Sequence, residues 1–243
     1  MTTQLELADH QTRDDLRVFL ERLQRAGEPE VRILTRGDAL AVYGCIQAPA
    51  GLLDSVPVVL GMRAFALRPR RDAGPDVASR PGFEPGAEAG SEPAREAGSD
   101  AETDITVSGR ALLDRMARMG LVGLRLELPE MTVAAAWAGV LPPTSGWESD
   151  GVIDGPSLIT VAQQGITRVS EALPADPGDP LVRQVRRSVW GVEIAPGVPA
   201  AAAFAAEVLG FLPGEPTATV ARTLTWTRLS TSRGHVLVRN FLG

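Results

Sequence analysis

Threonine alternates with mostly apolar residues near the end of the chain. In Thr217–Thr227 the odd positions are largely threonine, and the even positions are Ala, Val, Arg, Leu and Trp. A period of two places the two sets on opposite faces and is typical of a half-buried β-strand. A polar turn, Ser230–Gly234, and an apolar run, His235–Phe241, come next. We therefore expect a C-terminal β-hairpin over 216–241. Its predicted inward side chains are Leu224, Trp226, Val236 and Val238.

A very different segment, 69–104, divides the rest of the chain. It holds nine acidic residues against four arginines, and most of the remainder is Gly, Pro, Ala and Ser. Such a composition buries too little apolar surface to offset the entropy of ordering, so this acidic insertion is predicted to be disordered. The expected divisions are an N-terminal part, 1–68, the insertion, and an α/β second half, 105–243. The two outer parts could also pack together as one domain.

The N-terminal part is predicted to contain one helix and a three-stranded sheet. Thr12 and Asp15 resemble a capping pair, and apolar residues at helical spacing follow until Gly27. Strands are predicted at 31–36, 39–47 and 57–67, with the third in the centre of a sheet because it is apolar on both faces.

The second half is predicted to be rich in helices. Helices are expected at 108–119, 132–141, 156–173, 180–190 and 199–212, with a strand at 121–128. The fold class is thus α/β or α+β: a three-stranded N-terminal sheet with a helix, the acidic insertion, and a helix-rich half that ends in a hairpin. The alternative is one mixed sheet that includes the C-terminal hairpin.

Several kinds of chemistry lack the residues that they need. The 243 residues include no lysine, so a lysine Schiff base and a P-loop are excluded. Cys45, His10 and His235 are too few for a zinc site, and we predict no metal and no cofactor. Cys45 is expected to be a buried, inert thiol. The N-terminus does not resemble a signal peptide and no run is long enough to span a bilayer, so we expect a cytoplasmic protein.

Basic residues concentrate toward the C-terminus, although the formal net charge is −6. From residue 180 onward, seven arginines face three glutamates, which gives +4 and leaves −10 for the rest. Three helices followed by a hairpin is also the order of a winged-helix module, although the helix at 199–212 carries only Glu207 and should be buried rather than read bases. The candidate contacts to nucleic acid or an acidic partner are Arg183, Arg186, Arg187, Arg222, Arg228, Arg233 and Arg239.

Two further groups of residues could form a site. Trp137 and Trp147 flank a Pro-Pro step and could form an aromatic platform for a ligand or partner. Acid–base catalysis would need two carboxylates that converge in a cleft. The nearby carboxylates are Glu127, Glu130, Glu148 and Asp150.

The sequence favours a non-catalytic binding or regulatory protein that acts through protein contacts. Its partner would be another protein or a second copy of the chain. The alternatives are a nucleic-acid-associated protein with a winged-helix-like C-terminal module and an enzyme that uses paired carboxylates. No contact with a membrane is expected.

Overall fold

A single antiparallel sheet organises the molecule. The computed structural model describes residues 3–49, 56–69 and 103–239. The strands of the sheet are β2 (Glu30–Arg36), β3 (Ala39–Gln47), β4 (Val58–Ala66), β5 (Asp104–Ser108), β7 (Glu148–Asp154), β10 (Thr217–Arg222), β11 (Trp226–Thr231) and β12 (Gly234–Arg239). Their order across the sheet is β5-β2-β3-β4-β12-β11-β10-β7. Two smaller pairs are β1 (Gln4–Glu6) with β6 (Arg125–Glu127), and β8 (Glu193–Ala195) with β9 (Val198–Pro199).

Five helices lie within the described part of the chain. They are α1 (His10–Ala26), α2 (Gly109–Arg118), α3 (Gly155–Ala172), α4 (Asp179–Trp190) and α5 (Ala200–Val208). The larger core cluster joins buried side chains of α1, α2, α3 and α5 to alternate residues of the strands. We call this side of the sheet the helix face and the opposite side the outer face.

The strand order is symmetric about the contact between β4 and β12. Reading outward from this contact, β3 matches β11, β2 matches β10, and β5 matches β7. Helix α1 precedes β2 as α5 precedes β10, and α2 follows β5 as α3 follows β7. The joints agree in detail, because Gly109 N donates to Pro29 O at 2.8 Å and Gly155 N donates to Pro216 O at 2.9 Å. The two halves therefore share one order of strands across the sheet. Along the chain, the edge strand β5 is the last strand of the first half, and the edge strand β7 is the first strand of the second half.

Helix α4 adds a third layer to the second half. Trp190, 2% exposed, stacks on Phe204 of α5 with ring centroids 4.5 Å apart. A Cβ added at Gly165 of α3 would lie 2.1 Å from this indole, so glycine is what admits the ring. The three helices thus meet at one aromatic contact.

The mixed α/β fold is confirmed, and so is the alternative in which the hairpin joins the main sheet. Strand β12 pairs with β4 along five residues, which makes the wing interpretation wrong, since these strands lie inside the sheet. The threonine-rich run is two strands rather than one, and Leu224 in the turn between them is 88% exposed instead of inward. Trp226 packs on the outer face, whereas Val236 and Val238 face the helices.

Most of the predicted helices are confirmed, but the cap of the first one differs. Asp9, not Thr12, caps α1 by accepting from Thr12 N at 2.7 Å. Ser108 caps α2 and Asp154 caps α3, each by accepting from the backbone N–H three residues further on. The central position of the third N-terminal strand is confirmed by the pairing of β4 with β3 and β12.

The predicted helix at 132–141 is wrong. Only a 3₁₀ turn forms at Ala136–Gly139, because the backbone lies against the sheet and Val133 N bonds to Thr106 O. Tertiary packing here overrides the helix propensity of alanine. The strand expected at 121–128 is limited to β6, and β5 and β7 were not predicted. Residues 70–102 of the acidic insertion lie outside the described residues, so its predicted disorder and the domain division stay predictions.

Candidate functional site

A segment of the chain, 129–147, crosses the outer face of the sheet and joins its two halves. We call it the crossing segment. Its Trp137 and Ala138 are each 6% exposed and pack in the smaller core cluster. The sheet residues of that cluster are Tyr43, Cys45, Val58, Leu60, Trp226 and Leu237. One predicted platform residue, Trp137, is therefore mainly part of this packing.

A bidentate ion pair fastens the crossing segment near the β5 edge. Arg32 donates through Nε and Nη2 to the two carboxylate oxygens of Asp104, at 2.8 and 2.7 Å, and its Nη1 donates to the Ala138 carbonyl. The hydrogen bond from Arg32 lowers the pKa of Asp104, and the same bond raises the pKa of Arg32. One guanidinium thus connects β2, β5 and the crossing segment.

The second tryptophan meets one of the predicted arginines. The Arg228 guanidinium carbon lies 4.4 Å from the centre of the Trp147 ring, a cation–π contact. Trp147 Nε1 donates to Pro143 O at 2.9 Å, which fixes the ring. Two sets of residues that the sequence suggested separately are brought together here, immediately before β7.

Two buried nitrogen donors of the outer face have no acceptor within the described part of the chain. They are Nε1 of Trp137 and Nε of Arg228. Buried donors are satisfied in the great majority of cases, so each of the two marks a place where an added acceptor would be favourable. Trp137 adjoins Ala138, which contacts Arg32 of β2, whereas Arg228 lies beside Trp147 next to β7. For this reason we treat the outer face beside β7 as the candidate site.

Most of the remaining predicted arginines do not share this face. Arg183, Arg186 and Arg187 project from α4 on the helix side. Arg222 pairs with Asp150 and donates to the Pro196 carbonyl in the turn between β8 and β9. Arg233 lies exposed in the turn before β12, whereas Arg239 pairs in register with Trp226 and therefore shares the outer face. The seven arginines therefore do not form one surface.

His235 is half-buried rather than a free surface residue. Its Nδ1 lies 2.8 Å from Ser230 Oγ across the β11–β12 pair. Burial, followed by the charge of Arg228, lowers the pKa of His235. No carboxylate of the described residues bonds to this imidazole, so the serine–histidine contact lacks the third group that orients a catalytic base.

The four candidate carboxylates are all exposed. Glu127 on β6 accepts from Arg115, and Asp150 on β7, the strand that also carries Glu148, pairs with Arg222. Neither of the two clefts described, one beside Arg187 and one beside Arg68, is lined by any of the four. The paired-carboxylate site therefore stays a prediction that neither cleft supports.

Other predicted features can be located directly. Cys45 is fully buried, and burial raises the pKa of its thiol. In the described ranges, no three His, Cys, Asp or Glu side chains are grouped so that they could hold a metal ion. None of the helices described is long and apolar enough to cross a membrane.

Strand β7 is the main functional feature that the sequence reasoning missed. It pairs with β10 on one side only, and six of its seven residues are exposed. Glycine at position 151, with φ of +107°, and a bulge against β10 interrupt the alternation that would have marked a strand. The available signal was the β-branched pair Val152-Ile153 just before the Asp154 helix cap.

Comparison with known proteins assigns the chain to a family. Residues 1–139 match the family model described as domain of unknown function DUF8010, and residues 142–242 match domain of unknown function DUF8185. Because the first match covers more than half of the chain, the protein belongs to the DUF8010 family. Among curated proteins, none matches this sequence.

Solved structures with a similar overall arrangement include bacterial sliding clamps. Caulobacter crescentus pol III beta is 13% identical with a TM-score of 0.48, and the Pseudomonas aeruginosa DNA polymerase III subunit beta is 14% identical with 0.47. The Helicobacter pylori beta clamp bound to a DNA ligase peptide is 10% identical with 0.47. Each match covers all of this chain but only 65–66% of the other, so the chain spans just under two thirds of their length.

Proposed function

We propose that this protein acts through protein contacts, without catalysis of its own, and that the open edge β7 is its contact surface. The observation that carries the proposal is an edge strand of seven residues, six of them exposed. An unpaired strand edge offers a row of N–H and C=O groups to which an added strand can pair. Trp147 immediately precedes this strand, and its ring contacts Arg228 of β11, whose buried Nε donor extends the surface onto the outer face.

The charge of β7 restricts the partner. The strand carries Glu148, Asp150 and Asp154 and no basic residue. Two β7 strands placed side by side would bring like charges together, which disfavours that pairing. A strand with arginines beside it is a better match. In a second copy, α2 next to β5 meets this requirement with three arginines against one aspartate, while the Thr106 carbonyl of β5 is already bonded to Val133 N.

The backbone direction of β7 gives a clean test. Gly155 N bonds to Pro216 O on the β10 side, so by the alternation of a strand the N–H of Ile153 also faces β10 and that of Val152 faces outward. The variant Val152→Pro removes this outward donor without removing a bond to β10. Val152→Thr is the matched control, because it keeps the N–H and the strand propensity.

We expect the wild-type protein to form an assembly, or to bind a partner, in light scattering after size exclusion and in pull-down. Val152→Pro should reduce the assembled fraction at least tenfold, and Val152→Thr should retain it. A wild-type protein that is a monomer without a partner would contradict the proposal, and so would full assembly of Val152→Pro.

A second proposal is supported by the charge of the helices. The five described helices carry eleven arginines against seven acidic residues, a net +4 in a chain of −6. Arg183 and Arg186 are exposed on the outermost helix. The helix face is therefore the surface on which a nucleic acid backbone would bind, through phosphate contacts rather than base contacts.

This second proposal predicts weak, strongly salt-dependent binding to duplex DNA. Replacing Arg183 and Arg186 together with Ala should weaken binding several-fold at low salt in fluorescence anisotropy. The matched control is Arg228→Ala on the opposite face, which should leave binding unchanged. Binding that is absent at low salt, or that depends on Arg228 instead, would rule out the helix face.

A further inference from the structure

The turn between α2 and β6 presents two bare aliphatic side chains. Leu121 is 88% exposed and Val122 is 83% exposed, and they are adjacent in the chain. Glycines flank them on both sides, at 120 and 123. Single exposed aliphatic residues are common on protein surfaces, but two neighbours at this exposure on one turn form an apolar point that water solvates poorly.

The turn is held firmly in this position. Gly120 has φ of +66° and closes the helix, and a Cβ at Gly123 would lie 2.3 Å from the Met119 carbonyl oxygen. Arg13, only 9% exposed, donates to the Leu121 carbonyl and pairs with Asp14. A nearly buried guanidinium is thus used to fix a turn that exposes aliphatic groups. The exposure is built into the fold.

A cleft beside this turn is lined by both apolar and charged side chains. Met119, Val122 and Leu124 contribute the apolar lining, and Glu6, Arg68 and Arg125 contribute the charges. Arg68 is paired with Glu6 at 2.9 Å, whereas Arg125 forms no ion pair with another described residue. The cleft therefore fits an apolar side chain that is followed by a carboxylate.

The chain itself supplies such a group close by. Pro69 directly follows the cleft residue Arg68, and residues 70–102 carry eight acidic residues against four arginines. Phe83 is the single aromatic residue of 70–102, and Glu84 follows it. We propose that Phe83 and Glu84 of the acidic insertion bind in this cleft of the same chain, with Phe83 against Val122 and Glu84 toward Arg125.

The distance along the chain allows this contact. Phe83 comes fifteen positions after Arg68, and a flexible chain of that length has a typical span of about 20 Å. An attached segment of this kind has an effective concentration in the millimolar range, so even a weak contact would be well populated. The proposal concerns a different surface from β7 and does not depend on the proposed function.

Disulfide trapping tests the contact, because the native Cys45 is fully buried and leaves engineered cysteines as the reactive pair. In the full chain, Gly86→Cys is combined with Leu121→Cys, and the matched control combines Ser79→Cys with Leu121→Cys. Position 79 is closer to Arg68 along the chain, so an undirected segment would react faster from position 79. We expect the opposite order, with the position 86 pair forming a disulfide at least threefold faster under oxidised glutathione.

The same measurement in a Phe83→Ala background gives the second half of the test. There the preference should disappear and the position 79 pair should become the faster one. Val77→Ala, which removes a branched apolar side chain of the insertion but keeps Phe83, should leave the preference intact. Faster trapping at position 79 in the wild-type background, or a preference that survives Phe83→Ala, would overturn the proposal and leave the cleft to a separate partner.

Discussion

The two halves of the molecule share a topology but fill their cores differently. In the first half, α1 packs Leu16, Phe19, Leu20 and Leu23 against the sheet, each at most 1% exposed. In the second half the matching helix, α5, buries six alanines instead. Large side chains hold α1 away from the strands and supply most of its apolar area, whereas alanines let α5 approach α3 closely.

The alanine-rich packing has a structural consequence. An alanine buries much less apolar area than a leucine, so the second half gains less per residue from this contact. The additional helix α4 compensates, because Trp190 closes the groove between α3 and α5. One strand order can thus be stabilised by two thick layers or by three thinner ones. The third layer is then part of the core.

The largest effect should come from the third layer. Trp190→Ala removes a side chain that is 2% exposed and leaves a cavity between α3, α4 and α5. We expect the free energy of unfolding in urea to fall by about 4 kcal/mol, as for other buried aromatic residues. Trp190→Phe, which keeps an aromatic ring against Phe204, should lose less than half of that. A loss under about 1 kcal/mol for Trp190→Ala would mean that α4 is only an attachment.

A somewhat smaller loss is expected in the first half. Leu20 is fully buried between α1 and the sheet, and Leu20→Ala should lower the free energy of unfolding by about 3 kcal/mol. Leu20→Met, which conserves volume, is the control and should cost less than about 1.5 kcal/mol. If both variants proved equally mild, the leucine layer of α1 would not be what stabilises this half.

The joints between edge strand and helix provide a matched pair of substitutions. A Cβ at Gly155 would lie 2.1 Å from the Glu215 carbonyl oxygen, which is backbone, whereas at Gly109 the nearest atom is the Gln24 amide nitrogen at 2.4 Å. A flexible side chain can move aside and a carbonyl cannot. Gly155→Ala should therefore cost about 2 kcal/mol and Gly109→Ala about 1 kcal/mol, measured by urea unfolding. Equal costs would show that the two joints are equally adaptable.

Local periodicity is what made most of the fold predictable. The spacing of Leu16, Phe19, Leu20 and Leu23 identified α1, and the alternation in the C-terminal stretch predicted two strands where β10, β11 and β12 form. The period alone did not show where the stretch turns, since Leu224 continues the pattern although it lies exposed in the turn. Nor did it show that β12 pairs with β4, because that contact joins residues far apart in the sequence.

The candidate site was less predictable because it depends on pairs that are distant in the chain. The sequence identified Trp147 and Arg228 separately, but their contact is created by the crossing segment. Arg32 received no prediction, and Asp104 was assigned to the disordered insertion, which is wrong for this residue because it begins β5. The two residues together join three elements. The crossing segment itself was predicted to be helical, since its alanines favour a helix wherever no sheet competes for its backbone.

The smallest effect concerns the ion pair that fastens the crossing segment in the first half. Arg32 lowers the pKa of Asp104 below its ordinary value of 3.8, so the pair contributes stability above that pH and loses it as the pH falls through the lower native pKa. At pH 7, Asp104→Asn should cost less than about 1 kcal/mol, as for other partly exposed ion pairs. The difference from wild type should shrink toward zero in strongly acidic solution. Unfolding curves at pH 7 and at pH 3 would measure it, with Glu171→Gln on the exposed side of α3 as the control. A difference that is the same at both pH values would show that Asp104 acts through its shape and hydrogen bonds rather than its charge.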